Sequence, residues 1–294
     1  METASIYYLV LFILGTFFGS FLNVISDRLP KKESVLFGRS KCDFCKKKLK
    51  PKHLIPLLSF LFQRGKCGYC KKRLTFLYPL SEALTGFAFV GAAYLSGLLV
   101  HTDFASIFGL LFYILVLSFY IVMFLTDYKE CLIPDVIVFP AIIFVLVSLV
   151  ATRAIDLFTL YKRLSGETFG TYLIKAGYFD KQLWYAAKDV GYILVSALII
   201  SLFFYFLVWV TKGKGMGGGD VKLGFLIGLV NGFPHNIVAI FLGFVLGAVY
   251  SLLLIGIRKK TLKDTIAFGP FLITASLITL FYGADILNWY INLF

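Results

Sequence analysis

Gly191–Val210, GYILVSALIISLFFYFLVWV, is a run of twenty residues without a charged side chain. A helix of that length and composition can cross the hydrocarbon core of a bilayer. The stretch Lys212–Gly224, KGKGMGGGDVKLG, follows almost at once and places glycines and one aspartate where the next apolar run begins. Glycine is costly in a helix, and a carboxylate is costly near lipid. The pattern indicates that another backbone must come close here, or that the acid is needed.

Similar apolar runs recur along the chain, and 59% of its 294 residues are hydrophobic. This composition excludes an ordinary soluble domain. Segments in lipid must satisfy their backbone groups internally, so they should be helical. We therefore expect an all-α polytopic membrane protein with about eight transmembrane helices: Ile6–Ile25, Leu80–Val100, Phe104–Thr126, Val136–Ala151, Gly191–Val210, Val221–Phe233, Ile237–Ile257 and Ile266–Trp289.

Basic residues predict the orientation of these helices. The net charge is +13, and fifteen of the 29 Lys and Arg residues lie in Arg28–Arg73. Basic loops stay in the cytoplasm, so the insert 28–78 should be cytoplasmic and both termini external. The chain then divides into a first transmembrane helix (1–27), the insert (28–78) and a membrane core (79–294), with an external loop at 153–190 on the membrane surface.

We attribute the positive charge to topology and to anionic membrane lipid. Nucleic acid is not an expected partner, because no recognition motif accompanies the charge.

Four cysteines in the insert form two CxxC pairs, Cys42 with Cys45 and Cys67 with Cys70. Two such pairs at this separation are typical of a tetrahedral structural zinc site. A redox-active pair is the alternative, but a reducing compartment favours metal binding. An insert this small would take much of its stability from the ion.

Acidic residues beside the predicted helices are candidates for chemistry. Asp127, Asp135, Asp220 and Glu82 all fall at the predicted cytoplasmic face. Two carboxylates held close together cannot both ionise easily, so one can act as a base while the other donates a proton. That pair would support attack of water on a peptide carbonyl, as in aspartyl proteases.

Each acid also has a structural interpretation. Asp135 and Asp220 are both well placed as helix N-caps, and Glu82 can pair with a basic residue or line a site. Asp127 lies at the C-terminal end of a predicted helix, where the helix dipole disfavours negative charge. A function explains that position better than capping does.

Six motifs occur in order along the chain: GSFLNVISDRLP (Gly19–Pro30), the paired CxxC segment, YPLSEALTG (Tyr78–Gly86), TDYKECLIPD (Thr126–Asp135), GMGGGDVKLG (Gly215–Gly224) and AFGPFL (Ala267–Leu272). Together they resemble the bacterial type IV prepilin leader peptidases, which are GxGD-type membrane aspartyl proteases. The resemblance covers nearly the whole chain except 153–190.

The resemblance implies an activity and a set of residues. Such enzymes cut the basic leader from prepilins and pseudopilins after a glycine, and many then methylate the new N-terminus with S-adenosylmethionine. The catalytic pair corresponds to Asp127 and Asp220, and the four cysteines to the cytoplasmic domain. The expected localisation is the bacterial cytoplasmic membrane, with the pilus or type II secretion machinery as a further partner. The other residues that we predict to bind substrate or shape the site are Gly215, Gly217, Gly219, Glu82, Asp135, Lys222, Asn23 and Arg28.

Two other classes of protein fit parts of this sequence pattern. A cation- or proton-coupled transporter would also place acids among membrane helices. A non-enzymatic assembly scaffold could use zinc to bind partners, but it leaves the glycine–aspartate cluster unexplained.

Overall fold

The computed structural model describes residues 2–35, 37–42, 44–98, 103–213, 215–259 and 266–293. The predicted helix end at Val100 lies outside these residues, as do the basic residues Lys214, Lys260 and Lys263. Within the described part, regular structure is helical apart from two isolated β-bridges. The chain forms two compact units, Met1–Pro134 and Asp135–Phe294.

The first unit contains α1 (Glu2–Arg28), α2 (Leu58–Phe62), α3 (Leu77–Leu95) and α4 (Phe104–Glu130). Helix α3 packs against both α1 and α4. Its contact with α1 is very close, because a Cβ atom added at Gly15 would lie 2.8 Å from Gly86 Cα, and one added at Gly19 would lie 2.9 Å from Glu82 Cα. Small residues allow such backbone contact between helices in lipid. The described residues between 29 and 76, which contain the four clustered cysteines, are here called the cysteine module.

The second unit contains α5 (Asp135–Ser165), α6 (Thr168–Lys175), α7 (Tyr178–Val210), α8 (Gly218–Asn231), α9 (His235–Gly256) and α10 (Gly269–Ile291). Helix α8 contacts α5, α7, α9 and α10 and therefore forms the centre of this unit. Its side chains Leu223, Leu226 and Ile227 are almost fully buried. This burial explains why a short helix can lie among longer ones.

Six of the described helices are long and apolar enough to cross a membrane: α1, α4, α5, α7, α9 and α10. Large apolar side chains such as Leu198, Ile199 and Leu202 of α7 are exposed along them, as expected for lipid-facing surfaces. The structure is thus that of an all-helical, multi-pass membrane protein. The predicted second and sixth spans are helical too, as α3 and α8. Helix α8 has only 14 residues, however, and α3 carries Ser81, Glu82 and Thr85.

The segment 153–190, predicted to be a loop, is mostly helical. Helix α5 continues to Ser165, α6 follows, and α7 already begins at Tyr178. The loop is predicted from the lack of a long apolar run in 153–190, and that lack does not distinguish a solvated loop from a helix with a polar face.

Candidate active site and metal centre

The four predicted zinc ligands lie together. The sulfur atoms of Cys42, Cys45, Cys67 and Cys70 are all within 4.8 Å of one another. The sulfurs of Cys42 and Cys70 are 3.9 Å apart, which is too long for a disulfide. Four sulfurs at the usual zinc–sulfur distance, in a tetrahedron, would be about 3.8 Å apart. The cluster therefore fits a metal ion, and thiolates in this arrangement suit zinc.

Two similar turns build this cluster. In the first, the Cys42 N–H donates to Lys47 O at 3.0 Å and the Lys46 N–H to Cys42 O at 2.8 Å; the second repeats both bonds at Cys67. Lys46 and Lys71 have φ values of +56° and +58°. The CxxC spacing thus makes a tight turn that points both sulfurs inward. His53, between the two turns, is half-buried and packs edge-on against Tyr69.

The two buried cysteines lie in different electrostatic surroundings. Burial raises the pKa of Cys42 to about 11. The backbone N–H of Cys70 lowers the pKa of Cys67 to about 7, against the effect of its own burial. A metal ion must displace protons from such thiols, so metal binding here should release protons.

Asp127 lies in the last turn of α4 and is only 5% exposed. Cys131 follows the last residue of α4; its N–H donates to Asp127 O at 2.8 Å, and its left-handed φ of +51° ends the helix. A carboxylate in a C-terminal turn faces the negative end of the helix dipole. Asp127 therefore cannot be explained as a residue that stabilises the end of its own helix.

Asp220 lies in the first turn of α8 and is 8% exposed. It is the third residue of the helix rather than its N-cap, and its Oδ2 accepts the Gly217 N–H at 3.1 Å. The acid therefore reaches back to the helix start, as the glutamate of a capping box does. This position favours negative charge on the carboxylate.

The glycines before Asp220 leave space at the start of α8. A Cβ atom at Gly218 would meet nothing within 4 Å, and one at Gly217 would meet only Gly219 N and the Asp220 carboxylate, at 3.8–3.9 Å. At Gly215 it would lie 3.2 Å from the Thr211 side chain. The predicted role of these glycines, including Gly219, in admitting a substrate backbone remains a prediction.

Asp135 and Lys222 were predicted separately as site residues, and the structure pairs them. Lys222 Nζ lies 2.5 Å from Asp135 Oδ1. Asp135 is the first residue of α5 rather than the residue before it. The pair therefore ties the start of α5 to the turn of α8 that carries Asp220.

Glu82, Asn23 and Arg28 all make contacts that organise the first unit. Glu82 Oε2 accepts the Leu57 N–H at 2.8 Å, which holds the cysteine module to α3. Asn23 Oδ1 accepts from Ser81 Oγ at 2.8 Å and so links α1 to α3. The Arg28 guanidinium donates to the carbonyl groups of Ser34 at 2.9 Å and Phe37 at 3.2 Å, and so holds the chain that leaves α1.

Comparison with known proteins identifies the family. The model described as "Bacterial Peptidase A24 N-terminal domain" matches residues 13–96, and the "Type IV leader peptidase family" model matches residues 114–252. A Bacillus subtilis protein named prepilin leader peptidase/N-methyltransferase is 31% identical, over 97% of this chain and 98% of its own length. The chain belongs to the type IV leader peptidase family.

Further relatives in this leader peptidase family carry the same name. The proteins of Pseudomonas aeruginosa and Legionella pneumophila are 29% and 28% identical, over 95% and 97% of this chain and 92% and 94% of their own lengths. No solved structure gave a significant match. The leader peptidase match to 114–252 contains Asp127 and Asp220, and the N-terminal match contains the four cysteines.

Sequence reasoning missed one cluster in this leader peptidase. Asp27 accepts from Tyr78 Oη at 2.9 Å and from Lys129 Nζ at 2.6 Å, so it joins α1, α3 and α4. Each residue belongs to a recognised motif, but the three motifs are far apart in the chain. The only available signal was that Asp27 is an acid at the end of a predicted transmembrane helix.

Proposed function

We propose that this protein cleaves the leader from type IV prepilins and pseudopilins and then methylates the new N-terminal amine. The observation that carries the proposal is the match of residues 114–252 to the leader peptidase family. Two nearly buried aspartates at helix ends, Asp127 and Asp220, lie within those matched residues. The name that the relatives carry, prepilin leader peptidase/N-methyltransferase, supports both activities.

In this proposal Asp127 and Asp220 form the catalytic pair. Asp220 is near the N-terminus of α8, where negative charge is stabilised, whereas Asp127 is near the C-terminus of α4, where it is not. We assign Asp220 as the carboxylate that takes a proton from water, and Asp127 as the acid that protonates the leaving amine. Water then adds to the scissile carbonyl, the C–N bond breaks, and no covalent enzyme intermediate forms.

The membrane arrangement is also part of the proposal. Helices α3 and α8 would complete the six candidate spans to eight, with α8 shielded from lipid by its neighbours. Both termini would face outward and the cysteine module the cytoplasm, because the module holds 14 of the 29 Lys and Arg residues. A prepilin brings its basic leader to that same side, where the ends of α4 and α8 would meet it.

The cysteine module would hold one structural zinc ion through Cys42, Cys45, Cys67 and Cys70. Bound zinc would offset half of the negative charge of the four thiolates and stabilise a module that has little apolar core. S-adenosylmethionine would supply the methyl group. The neighbouring glycines Gly215, Gly217 and Gly219 would leave space for the unwound substrate at the start of α8.

The proposal is tested by co-expressing the chain with a prepilin and following its size and N-terminal mass. Asp127→Asn and Asp220→Asn keep the side-chain shape but cannot ionise. Each should abolish cleavage while the protein still inserts in the membrane, and Asp156→Asn on α5 should cleave normally. A product 14 Da heavier from the wild type would support methylation. Cleavage by both asparagine variants would overturn the assigned pair.

A further inference from the structure

Helix α2 of the cysteine module presents an exposed apolar face. Leu58 is 50% exposed, Leu61 71% and Phe62 80%, and these are three of the five residues of the helix. A helix this short has little stability of its own. Single apolar side chains are common on protein surfaces, but a cluster of them marks a contact surface. Something must therefore cover this face when the protein is in its membrane.

The apolar face of α2 continues one side of α3. Phe76 immediately precedes α3, and the exposed apolar side chains on this side are Phe76, Leu80, Leu84 and Phe87. Their spacing of four, four and three residues places them in one row along a helix. The ring of Phe60 on α2 lies 6.2 Å from that of Phe76, between centroids, and so joins α2 to the end of the row. The two helices thus share one apolar surface.

The start of α2 lies well back from the end of α1. The Leu57 N–H donates to Glu82 Oε2 at 2.8 Å, and the Glu82 backbone lies against Gly19 of α1. Gly19 is nine residues before Arg28, where α1 ends, which is about 14 Å along the helix axis. The 27 residues of α1 extend about 40 Å, only about 10 Å more than the hydrocarbon core of a bilayer. The start of α2 is therefore at the edge of that core, even if the whole excess lies on this side.

Basic side chains flank the apolar face. Residues 44–81 contain ten Lys and Arg and no Asp or Glu. Arg64 follows α2 by two residues, and Lys66 and Arg73 are neighbours in an isolated β-bridge. All three side chains are exposed, and within the described part of the chain none of them forms an ion pair. The apolar and basic side chains together are here called the docking surface: Leu58, Leu61, Phe62, Arg64, Lys66 and Arg73.

We propose that the docking surface holds the cysteine module against the anionic phospholipid surface of the membrane that α1 crosses. The inference rests on the proposed membrane arrangement of α3 and on neither proposed activity. The three apolar side chains enter the boundary between headgroups and acyl chains, and the three cations contact lipid phosphates. Helices that lie in the membrane interface combine these two features. Each Lys or Arg close to an anionic membrane strengthens the association about fivefold.

A protein partner explains the docking surface less well. The basic leader of a prepilin would be repelled by the three cations. A second copy of this chain would bring the same positive charge to the contact. Neither partner requires the surface to lie at the edge of the hydrocarbon core, whereas lipid does.

Photolabelling in nanodiscs tests the proposal. The full zinc-loaded chain is placed in discs of phosphatidylcholine with an equal amount of phosphatidylglycerol, which include a trace of phospholipid with a diazirine in its acyl chain. After irradiation, mass spectrometry locates the labelled residues. Label should appear on α2 as well as on Leu84 and Phe87 of α3. In discs of phosphatidylcholine alone, labelling of α2 should fall at least about fivefold while that of α3 stays the same.

Two variants separate the apolar from the basic contribution. Phe62→Gln replaces an exposed ring with a polar side chain, and the double variant Arg64→Gln/Arg73→Gln removes two charges. Each should lower the labelling of α2 at least about fivefold and leave that of α3 unchanged. The matched control, Lys162→Gln/Arg163→Gln, removes two exposed charges at the end of α5 and should label as the wild type does. Zinc content checks that the module is folded in each variant.

The outcomes separate the docking from the membrane arrangement. Label on α3 of the wild type without label on α2 would overturn the docking and leave the arrangement intact. Label on neither helix would mean that the proposed span α3 is wrong as well. Equal labelling of α2 in the wild type and in both variants, with zinc bound, would also overturn the docking. Hydrogen exchange at α2 that slows only when a prepilin or a second chain is added to the disc would assign the surface to a protein partner instead.

Discussion

The ammonium of Lys129 lies 2.6 Å from a carboxylate oxygen of Asp27 and joins the last turn of α4 to the last turn of α1. Lys129 follows Asp127 by two residues. Lys222 follows Asp220 at the same spacing, and it pairs with Asp135 in the second unit. In each unit, then, a lysine beside the proposed catalytic aspartate ties that helix end to a neighbouring helix.

Replacing Lys129 with methionine should destabilise the protein and slow cleavage. Both partners of the pair are partly buried, with side chains 21% and 28% exposed. Loss of hydrogen bonds between charged groups should lower the free energy of unfolding by about 1.5–3 kcal/mol. The end of α4 would also be less fixed, so kcat should fall more than KM rises. Thermal unfolding in detergent and cleavage kinetics measure the two effects.

The matched control for Lys129→Met is Arg153→Met. Arg153 lies 3.9 Å from Asp189, and both side chains are largely exposed, at 40% and 55%. An exposed pair contributes only about 0–1 kcal/mol. If both variants lose the same stability and Lys129→Met cleaves normally, the positioning role of Lys129 is wrong.

The Asp135–Lys222 pair should affect activity more than stability. Its side chains are 58% and 35% exposed, so breaking the pair should cost about 0–1 kcal/mol. Lys222 nevertheless lies on the turn of α8 that carries Asp220. We expect Lys222→Met and Asp135→Asn to lower kcat to a similar extent, and the double variant to be no worse than either single one. Independent, additive losses in a double-mutant cycle would contradict this coupling.

Local spacing was sufficient to predict the cluster of four cysteines. Two CxxC turns orient their own sulfurs, and only one long-range contact remains to bring the pairs together. The helix-end positions of Asp127 and Asp220 were predictable for a similar reason, because apolar run length locates helix ends. The helix boundaries within 153–190 were not, since that segment has no long apolar run whose length would locate them.

Long-range pairing could not be predicted from the sequence. Asp135 and Lys222 are 87 residues apart, and Asp27 and Lys129 are 102 apart. Each of these residues had several basic or acidic candidates as partners. The packing of the helices selects among these candidates. That packing depends on close contacts such as the one between Gly15 and Gly86, and no single motif shows which residues will meet.

Replacing Gly228 with alanine should destabilise the centre of the second unit. The new Cβ would lie 2.6 Å from Ala197 Cα on α7, and backbone cannot move aside as a flexible side chain can. Overpacking of this kind costs about 1–3 kcal/mol. Gly191→Ala on α7 is the control, because its Cβ would meet nothing within 4 Å and alanine favours a helix. The thermal midpoint should fall for the first and stay equal or rise for the second; a fall for both would argue against tight α7–α8 packing.

Removing one thiol of the cysteine module should release the metal. The purified chain should contain one zinc ion, and Cys45→Ser should reduce that content strongly, because a hydroxyl is a poor zinc ligand. The module would then lose its main source of stability, so hydrogen exchange should become faster at the Cys42 and Cys67 amides, which are bonded within the turns. Cys131→Ser is the control, since Cys131 is exposed and outside the cluster. Equal zinc in both variants would mean that the ion binds elsewhere, and a zinc-free wild type with protected amides would show that the module folds without it.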